Sequence, residues 1–446
     1  MPEYIPAMMK ETAIELLKEL RSAGYEAVFA GGCVRDMLLG KEPKDYDIAT
    51  NARPQQVLSV FPGSHSVGAH FGVIVVHREG HQFEIATFRR DGDYTDGRRP
   101  DSVEFTTAEE DAKRRDFTVN GLFYDPLQDR VLDYVGGRED LQKQLLRAIG
   151  DPAQRFAEDR LRLLRAVRFA TVLEFEIETD TWRAVQQMAG EVISVSQERI
   201  REELARIFLH RNRVRGFDLL VEGGLMQAVL PEILKLQGCE QPPQFHPEGD
   251  VFVHTRKMLD LLGEDVSLPL VLSVLFHDIA KPDTFTQDET GRIRFNGHDR
   301  LGAIKTEKIL RRLKFPNHVI DPTVEAVANH MTFKDVPHMR ESTLKRFMAR
   351  EGFEDELELH RVDCLSSNGL LDNYELVKSR RESYAATPQP LIPPPLVTGR
   401  DLIELGLQPG PRFKELLTAV QNHQLEGTMT TREEALQWLR QEVGNG

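Results

Sequence analysis

The chain has 446 residues, 29% charged and 40% hydrophobic, with a net charge of −14. That length exceeds what one core supports and calls for roughly two to four domains; the composition excludes a collagenous or disordered chain. Three cysteines (Cys33, Cys239 and Cys364) lie far apart, so no disulfide framework or zinc knuckle follows and a reducing compartment fits. The N-terminus carries no signal-peptide apolar region, and the longest apolar run, Leu268 to Phe276, is too short to span a bilayer. The expectation is therefore a cytoplasmic protein with no membrane partner. The negative charge argues mildly against nucleic acid, but local basic stripes can still hold phosphates.

Residues 10–22 carry Ile14, Leu16, Leu17 and Leu20 at helical spacing. Glu26–Ala30 then reads as a strand running into Gly31-Gly32, and Val34–Leu39 as a short helix whose start favours an anion. Paired glycines let a triphosphate approach the backbone. Asp45–Ala49 reads as the next strand. In a strand, Asp45 and Asp47 face one side, about 6–7 Å apart, and two such carboxylates suit a two-metal phosphoryl-transfer site. Phe71–His77 and Gln82–Phe88 alternate and are joined by Arg78-Glu79-Gly80-His81, a hairpin signal. Glu84, on the second of these strands, is a candidate third carboxylate; the alternative is an exposed strand glutamate.

Arg89 to Glu110 shows little periodicity except at Val103 and Phe105, which predicts a mobile functional loop. Arg114-Arg115-Asp116-Phe117-Thr118-Val119-Asn120 follows. Its arginines suit phosphates, and its aspartate can accept a bond from a ribose hydroxyl. Asp133-Tyr134-Val135-Gly136-Gly137-Arg138-Glu139-Asp140-Leu141 and Glu158-Asp159-Arg160-Leu161-Arg162 come next.

Taken in order from about Ala27 to Ala170, these motifs resemble the signature of class II tRNA nucleotidyltransferases and the similar bacterial poly(A) polymerases. The resemblance implies an α+β, polymerase-β-like head with a mixed or antiparallel sheet (1–148). After it come an all-α neck (149–222), an HD domain (223–386), and a Pro-rich linker with a helical tail (387–446). It implies addition of CCA to the 3′ end of tRNA from CTP and ATP, with Mg²⁺ held by Asp45 and Asp47. Gly31, Gly32, Arg35 and Arg115 would face the nucleotide, with Asp116 near the sugar and Asn120 beside it. Arg165 and Arg168 extend the nucleotide-binding set.

Base choice has a physical reading. Asp159 and Arg162, three apart in a helical pattern, share a side of the helix. A carboxylate accepts and a guanidinium donates. Cytosine and adenine each show an amino donor beside a ring-nitrogen acceptor, whereas uracil and guanine reverse that order. A site built on such bonds discriminates by ~10⁴ or more. Changing from C to A requires the pocket to change shape, and the Arg89–Glu110 loop and the Gly136-Gly137 turn are the expected moving parts. The arginines from Arg155 to Arg215 either touch RNA phosphates or form a solvated face; those around 211–215 are the favoured RNA contacts.

Further along, His254, His277-Asp278, His298, His330 and Asp363 occur in the order of an HD-domain phosphohydrolase. Their donors suit Mn, Fe, Ni or Mg, in one site or two. The Pro-rich stretch Thr387 to Pro395 reads as a stiff linker. The tail beyond it either contacts the tRNA body or packs on the HD domain. Three rivals remain on this scaffold: an A-adding enzyme, a poly(A) polymerase, and an RNA-binding protein with an inert site. The non-basic Ser66-Val67-Gly68-Ala69-His70-Phe71-Gly72 counts against the poly(A) polymerase.

Overall fold

The computed structural model describes residues 4–66, 72–92 and 102–444. The chain divides into two compact units, Met1–Pro231 and Glu232–Gly446. Among the described residues no helix is long and apolar enough to cross a membrane.

The first unit begins with helix α1 (Tyr4–Ser22), which buries Ala13, Leu16, Leu17 and Leu20. Strand β1 (Ala27–Ala30), helix α2 (Gly32–Leu38), strand β2 (Ile48–Thr50) and helix α3 (Pro54–Val60) follow. Strands β3 (His65–Ser66), β4 (Val73–Arg78), β5 (His81–Thr87), β8 (Leu122–Asp125) and β9 (Arg130–Asp133) complete a seven-stranded sheet, ordered β3-β4-β5-β2-β1-β8-β9. It is mixed: β2 runs parallel to β5, and the other pairs are antiparallel. Strand β1 is buried along its whole length, as its central place in the sheet requires. Glu79 and Gly80 take φ of 55° and 77°, the left-handed pair that a two-residue turn needs to match strand twist. The anticipated hairpin therefore forms with Arg78 opposite His81, and Phe71 lies outside the described residues.

Two expectations need correction. Strand β2 starts at Ile48, so Asp45 and Asp47 stand just before it. The sense of the prediction survives in the exposure pattern: Tyr46 is buried between an exposed Asp45 and a half-buried Asp47. The Asp47 carbonyl also accepts the Ala30 amide at 3.0 Å. Second, the described ends of the supposed loop pair as an antiparallel ribbon of β6 (Arg89–Asp91) and β7 (Val103–Phe105). Helix α4 (Ala108–Lys113) then starts at the Thr107 cap. Only Val103 and Phe105 alternate in this otherwise charged ribbon, too short a signal to reveal its pairing in the sequence. The Gly136-Gly137 turn, expected as a moving part, is capped in this conformation by one side chain. The Asp133 carboxylate accepts from the amides of Val135, Gly136, Gly137 and Arg138. A Cβ on Gly137 would lie 2.2 Å from the Thr118 carbonyl oxygen.

Helix α5 (Gly137–Gln142) leads to α6 (Pro152–Glu158), α7 (Leu161–Leu173), α8 (Thr179–Met188), α9 (Gln197–Leu209), α10 (Arg213–Glu222) and α11 (Leu225–Val229). A short parallel pair, β10 (Leu145–Leu146) with β11 (Glu176–Ile177), interrupts this otherwise helical region.

Helix α12 (Pro231–Leu234) lies at the boundary between the units, and the second unit is almost entirely helical. It contains α13 (Val251–Leu261), α14 (Leu268–Phe276), α15 (Lys281–Thr284), α16 (His298–Arg312), α17 (Asn317–Asn329), α18 (Glu341–Met348), α19 (Phe353–Ser366) and α20 (Asp372–Ala385). A hairpin of β12 (Phe285–Gln287) and β13 (Ile293–Phe295) departs from the expected all-α pattern. Helices α21 (Gly399–Glu404), α22 (Pro411–Leu425) and α23 (Arg432–Gly444) enclose a small core of their own around Leu402, Val420 and Leu439. The tail packs on α18: Lys345 donates to the Leu425 carbonyl at 2.7 Å, and Arg346 bonds Gln421 at 3.0 Å.

Candidate functional site

In the first unit, the turn from β1 into α2 and the turn into β2 lie side by side through the β1–β2 pairing. Gly31 has φ of 71°, and a Cβ there would lie 2.7 Å from Arg115 Nη1. Glycine is therefore favoured by the backbone conformation, and a side chain there would push the Arg115 guanidinium aside. The parallel register pairs Ile48 with Ile85, so one step earlier Asp47 falls beside Glu84. Burial, then the charges of Asp45 and Glu84, push the Asp47 carboxyl up to about 6. A divalent cation would relieve the repulsion on Asp47; Asp45 and Asp47, with Glu84 nearby, are residues that could hold one.

A cavity of about 520 Å³ opens next to them. Its wall brings together Asp45 and Asp47 with Gly31, Gly32, Arg35, Arg115, Asp116, Asn120, Asp159, Arg162, Arg165 and Arg168, the residues expected to bind the nucleotide. Arg35 donates to Asn120 Oδ1 at 2.7 Å and to Asp36 at 2.7 and 2.9 Å. Asp116 accepts from Arg165 and from Asn120 Nδ2 at 3.1 Å. Burial would raise its carboxyl, but Arg165, Asn120 and Arg162 hold it well below the usual carboxylate range. The wall also includes Arg114, Phe169, Arg199 and Arg206, which the sequence analysis did not assign to the nucleotide. Phe169 carries the guanidinia of Arg35, Arg165 and Arg168 at 5.3, 5.2 and 4.0 Å from its ring centre.

Asp159 and Arg162 do not share a helical face. Asp159 is extended (φ −143°, ψ 104°) between α6 and α7. Its carboxylate is gripped on both oxygens by Arg199, at 3.1 and 2.7 Å. Arg162 pairs instead with Glu158 at 2.6 Å and donates to the carbonyls of Arg155 and Arg114. Both nevertheless face the same cavity. The arginines around 211–215 are largely occupied: Arg213 is buried and donates to the Phe208 carbonyl, Arg211 pairs with Glu174, and Arg215 holds Phe175 and Glu176.

The second unit holds the other predicted cluster. His254 comes from α13, His277-Asp278 follow α14, His298 opens α16, His330 follows α17, and Asp363 lies on α19. The structure brings all six together. His254 Nε2 lies 3.2 Å from Asp363 and 3.9 Å from Asp278; His277 and His298 Nε2 lie 3.1 and 3.4 Å from Asp278. His330 Nε2 lies 3.8 Å from Asp278 and 3.1 Å from His298 Nε2. The Nδ1 atoms of His277, His298 and His330 meet the carbonyls of Val274, Phe295 and Val327. A carbonyl only accepts, so each Nδ1 carries the proton and each Nε2 lone pair points inward, the arrangement metal-bound histidines take. Burial pushes His330 down to about 4, keeping it neutral. His254 Nε2, His277 Nε2 and Asp278 Oδ2 are buried without an aligned hydrogen bond, close as their neighbours are. These orphaned donors fit a transition-metal ion or Mg²⁺. Glu248, bonded to His254 Nδ1 at 2.7 Å, and Lys281, 2.7 Å from Asp278, complete the surround and were not anticipated.

Three family models match along the chain: "Poly A polymerase head domain" at residues 27–147, "Probable RNA and SrmB-binding site of polymerase A" at 174–236, and "tRNA nucleotidyltransferase domain 2 putative" at 300–439. The CCA-adding enzyme of Geobacillus stearothermophilus is 32% identical over 432 residues, 96% of each chain. That of Ligilactobacillus salivarius is 30% identical over 438 residues, 97% of this chain and 96% of its own. The solved structure of the Bacillus stearothermophilus CCA-adding enzyme in complex with CTP superposes with a TM-score of 0.70 at 28% identity, covering 99% of this chain and 98% of that one. The Thermotoga maritima CCA-adding enzyme complexed with tRNA, 18% identical, shares the fold with a TM-score of 0.62 over 97% of this chain and 95% of that one.

Proposed function

Because this chain belongs to the family of CCA-adding enzymes, we propose that it adds C, C and A to the 3′ end of tRNA in the cytoplasm, using CTP and ATP and no nucleic-acid template. The observation that carries this reading is the junction of the Asp45 and Asp47 carboxylates with a cavity that also holds Asp159 and Arg162. Mg²⁺ bound at Asp45 and Asp47 would acidify the primer hydroxyl and steady the leaving pyrophosphate. Arg35 and Arg115, beside Gly31 and Gly32, neutralise the triphosphate. Asp116, held ionised by Arg165, offers an acceptor to the ribose. Asp159 accepts from the exocyclic amine of C or A while Arg162 donates to the ring nitrogen; U and G leave both groups unpaired. The proposed division of labour is a head over 1–148, a neck over 149–222, an HD domain over 223–386 and a tail over 387–446.

Incubating the purified protein and Mg²⁺ with one tRNA lacking CCA and one ending in CC, given CTP and ATP, tests this reading. Growth by C, C and then A, stopping there, is expected. Extension of the CC-ended tRNA alone would make it an A-adding enzyme, a long A tail a poly(A) polymerase, and no extension an inert RNA-binding protein. The basic region whose absence disfavours the poly(A) polymerase falls largely on residues 67–71, outside the described residues.

A second activity, metal-dependent phosphohydrolysis at the His277-Asp278 cluster, is supported by the convergence of His254, His277, His298 and His330 on the buried Asp278. A cavity of about 1000 Å³ over it is lined by Lys281, Arg292 and Arg294, which suits 2′,3′-cyclic phosphates or phosphates at damaged tRNA ends. Hydrolysis of a 2′,3′-cyclic nucleotide by the metal-loaded protein is the expected result; a metal-loaded protein that leaves it intact would reduce the domain to a scaffold.

A further inference from the structure

The head holds a second cavity, of about 560 Å³, that the chemistry above does not use. It shares no residue with the nucleotide cavity. Its wall is built from α1, the end of α2 and the turn after it, Tyr46, β8 and β9. Tyr46 stands between Asp45 and Asp47 in the chain, yet the two carboxylates line the nucleotide cavity and Tyr46 lines this one. The second cavity therefore lies against the reverse side of the turn that carries the candidate metal ligands. The Phe29 ring, 5.3 Å away, holds the Tyr46 ring from the strand β1 side.

Three features of the wall point to a ligand. Tyr46 is 4% exposed, and its hydroxyl makes no hydrogen bond among the described residues. Burial, then the Cys33 and Glu42 groups, push that hydroxyl up to about 12, so it remains a donor. A buried hydroxyl without a partner costs free energy, and a group entering the cavity supplies one. Apolar surface is contributed by Val34, Val131 and Leu38, the last 41% exposed. Lys10 and Lys41 also line the cavity, and neither has an ion pair among the described residues. Of the two acids present, Asp129 accepts the Tyr124 hydroxyl at 2.7 Å, and Glu42 has no ion pair among the described residues.

Each feature selects one part of that ligand. Two unpaired ammonium groups favour an anion, and a phosphate dianion over a single charge. The apolar side chains favour a ring, the Tyr46 hydroxyl an acceptor on that ring, and Glu42 a sugar hydroxyl. The volume falls in the range that small-molecule sites occupy. We propose that this cavity is a second ligand site, for a nucleoside monophosphate or a similar ring carrying one phosphate. Its occupant touches the turn bearing Asp45 and Asp47 and the helix that begins at Gly32, both from behind. The site rests on the cavity itself and goes beyond the CCA-adding reading.

Pyridoxal 5′-phosphate is the probe, because it joins a flat ring, one phosphate and an aldehyde. The aldehyde condenses with a lysine amine, losing water, and borohydride reduces the imine to a stable amine that peptide mapping locates. The nucleotide cavity is walled by arginines and has no lysine, so the label distinguishes the two cavities. In the full-length protein Lys10 or Lys41 is expected to react about tenfold or more faster than Lys44, which is exposed and outside the cavity wall. AMP is expected to slow that reaction, and the same concentration of inorganic phosphate to slow it far less. Tyr46→Phe keeps the ring and removes the hydroxyl. It is expected to raise the AMP concentration for half-protection about fivefold, the scale of one hydrogen bond. Leu38→Asp places a negative charge on the wall at an exposed position and is expected to abolish protection; melting curves accompany both variants. Equal reaction at Lys44, equal protection by inorganic phosphate, or AMP protection unchanged in the variants overturns the inference. Should Y46F unfold, L38D decides alone, unchanged protection again being fatal.

Discussion

Asp47 shows what a single carboxylate contributes at this site. Its value in the folded protein, about 6, lies above the ordinary 3.8. The folded protein therefore holds this proton more tightly, and the group's contribution to stability, complete below about pH 4, is lost as pH rises through about 6. We predict that Asp47→Asn raises the melting temperature of the metal-free protein at pH 7.5, not at pH 4, while abolishing transfer. Mg²⁺ is likewise expected to raise the wild-type melting temperature more at pH 7.5 than at pH 5. Scanning calorimetry reads both, and a Mg²⁺ effect independent of pH would remove Asp47 from the metal site. Arg199 gives a second residue-scale prediction. Its two bonds fix the rotamer of Asp159, so Arg199→Ala is expected to raise UTP and GTP misincorporation by about tenfold or more, as loss of an orienting partner does. Unchanged fidelity would show that Asp159 orients itself. The Asp45-Tyr46-Asp47 pair was legible because its spacing is local. The Asp159–Arg199 grip was not, because forty residues separate its members. The i, i+3 spacing of Asp159 and Arg162 also misled, since Asp159 leaves the helical conformation just where the pattern looks continuous.

Among elements, the β4–β5 hairpin and the apolar α14 followed from pattern because each answers to one rule, a left-handed turn or a buried helix. The β6–β7 ribbon answers to neither. Ion pairs such as Arg90–Glu104 span it, and pairs of opposite charge lack the apolar rhythm that marks a strand. The turn into α5 is expected to move because base switching needs a pocket that changes shape, while Gly137 itself serves close packing against Thr118. We predict that Gly137→Ala costs about 2 kcal/mol or more, the scale of overpacking against a fixed backbone, read as a shift in denaturant midpoint. A change below a few tenths would mean that the Thr118 segment yields, restoring the turn as a moving part.

At the scale of the whole molecule, the family likeness runs almost end to end, whereas the two catalytic proposals lie in different units. They should be separable. Asp278→Ala removes the carboxylate on which four histidines converge. It is predicted to lower bound metal at least several-fold by elemental analysis and to leave the rate of C addition unchanged within about twofold. Loss of both together would tie transfer to the second unit. The order of the six ligands was readable in the sequence. Their support by Glu248 and Lys281 was not, since an acid and a lysine carry no spacing of their own.

The contact between Arg115 and Gly31 bears on how this head can drift over generations. Any side chain at position 31 would evict the Arg115 guanidinium from 2.7 Å away, and loss of Arg115 would leave the buried Asp111 short of a cation. Neither position can change first without a defective intermediate. Positions 31, 111 and 115 are thus bound to a shared history, with position 31 constrained in addition by its own left-handed backbone.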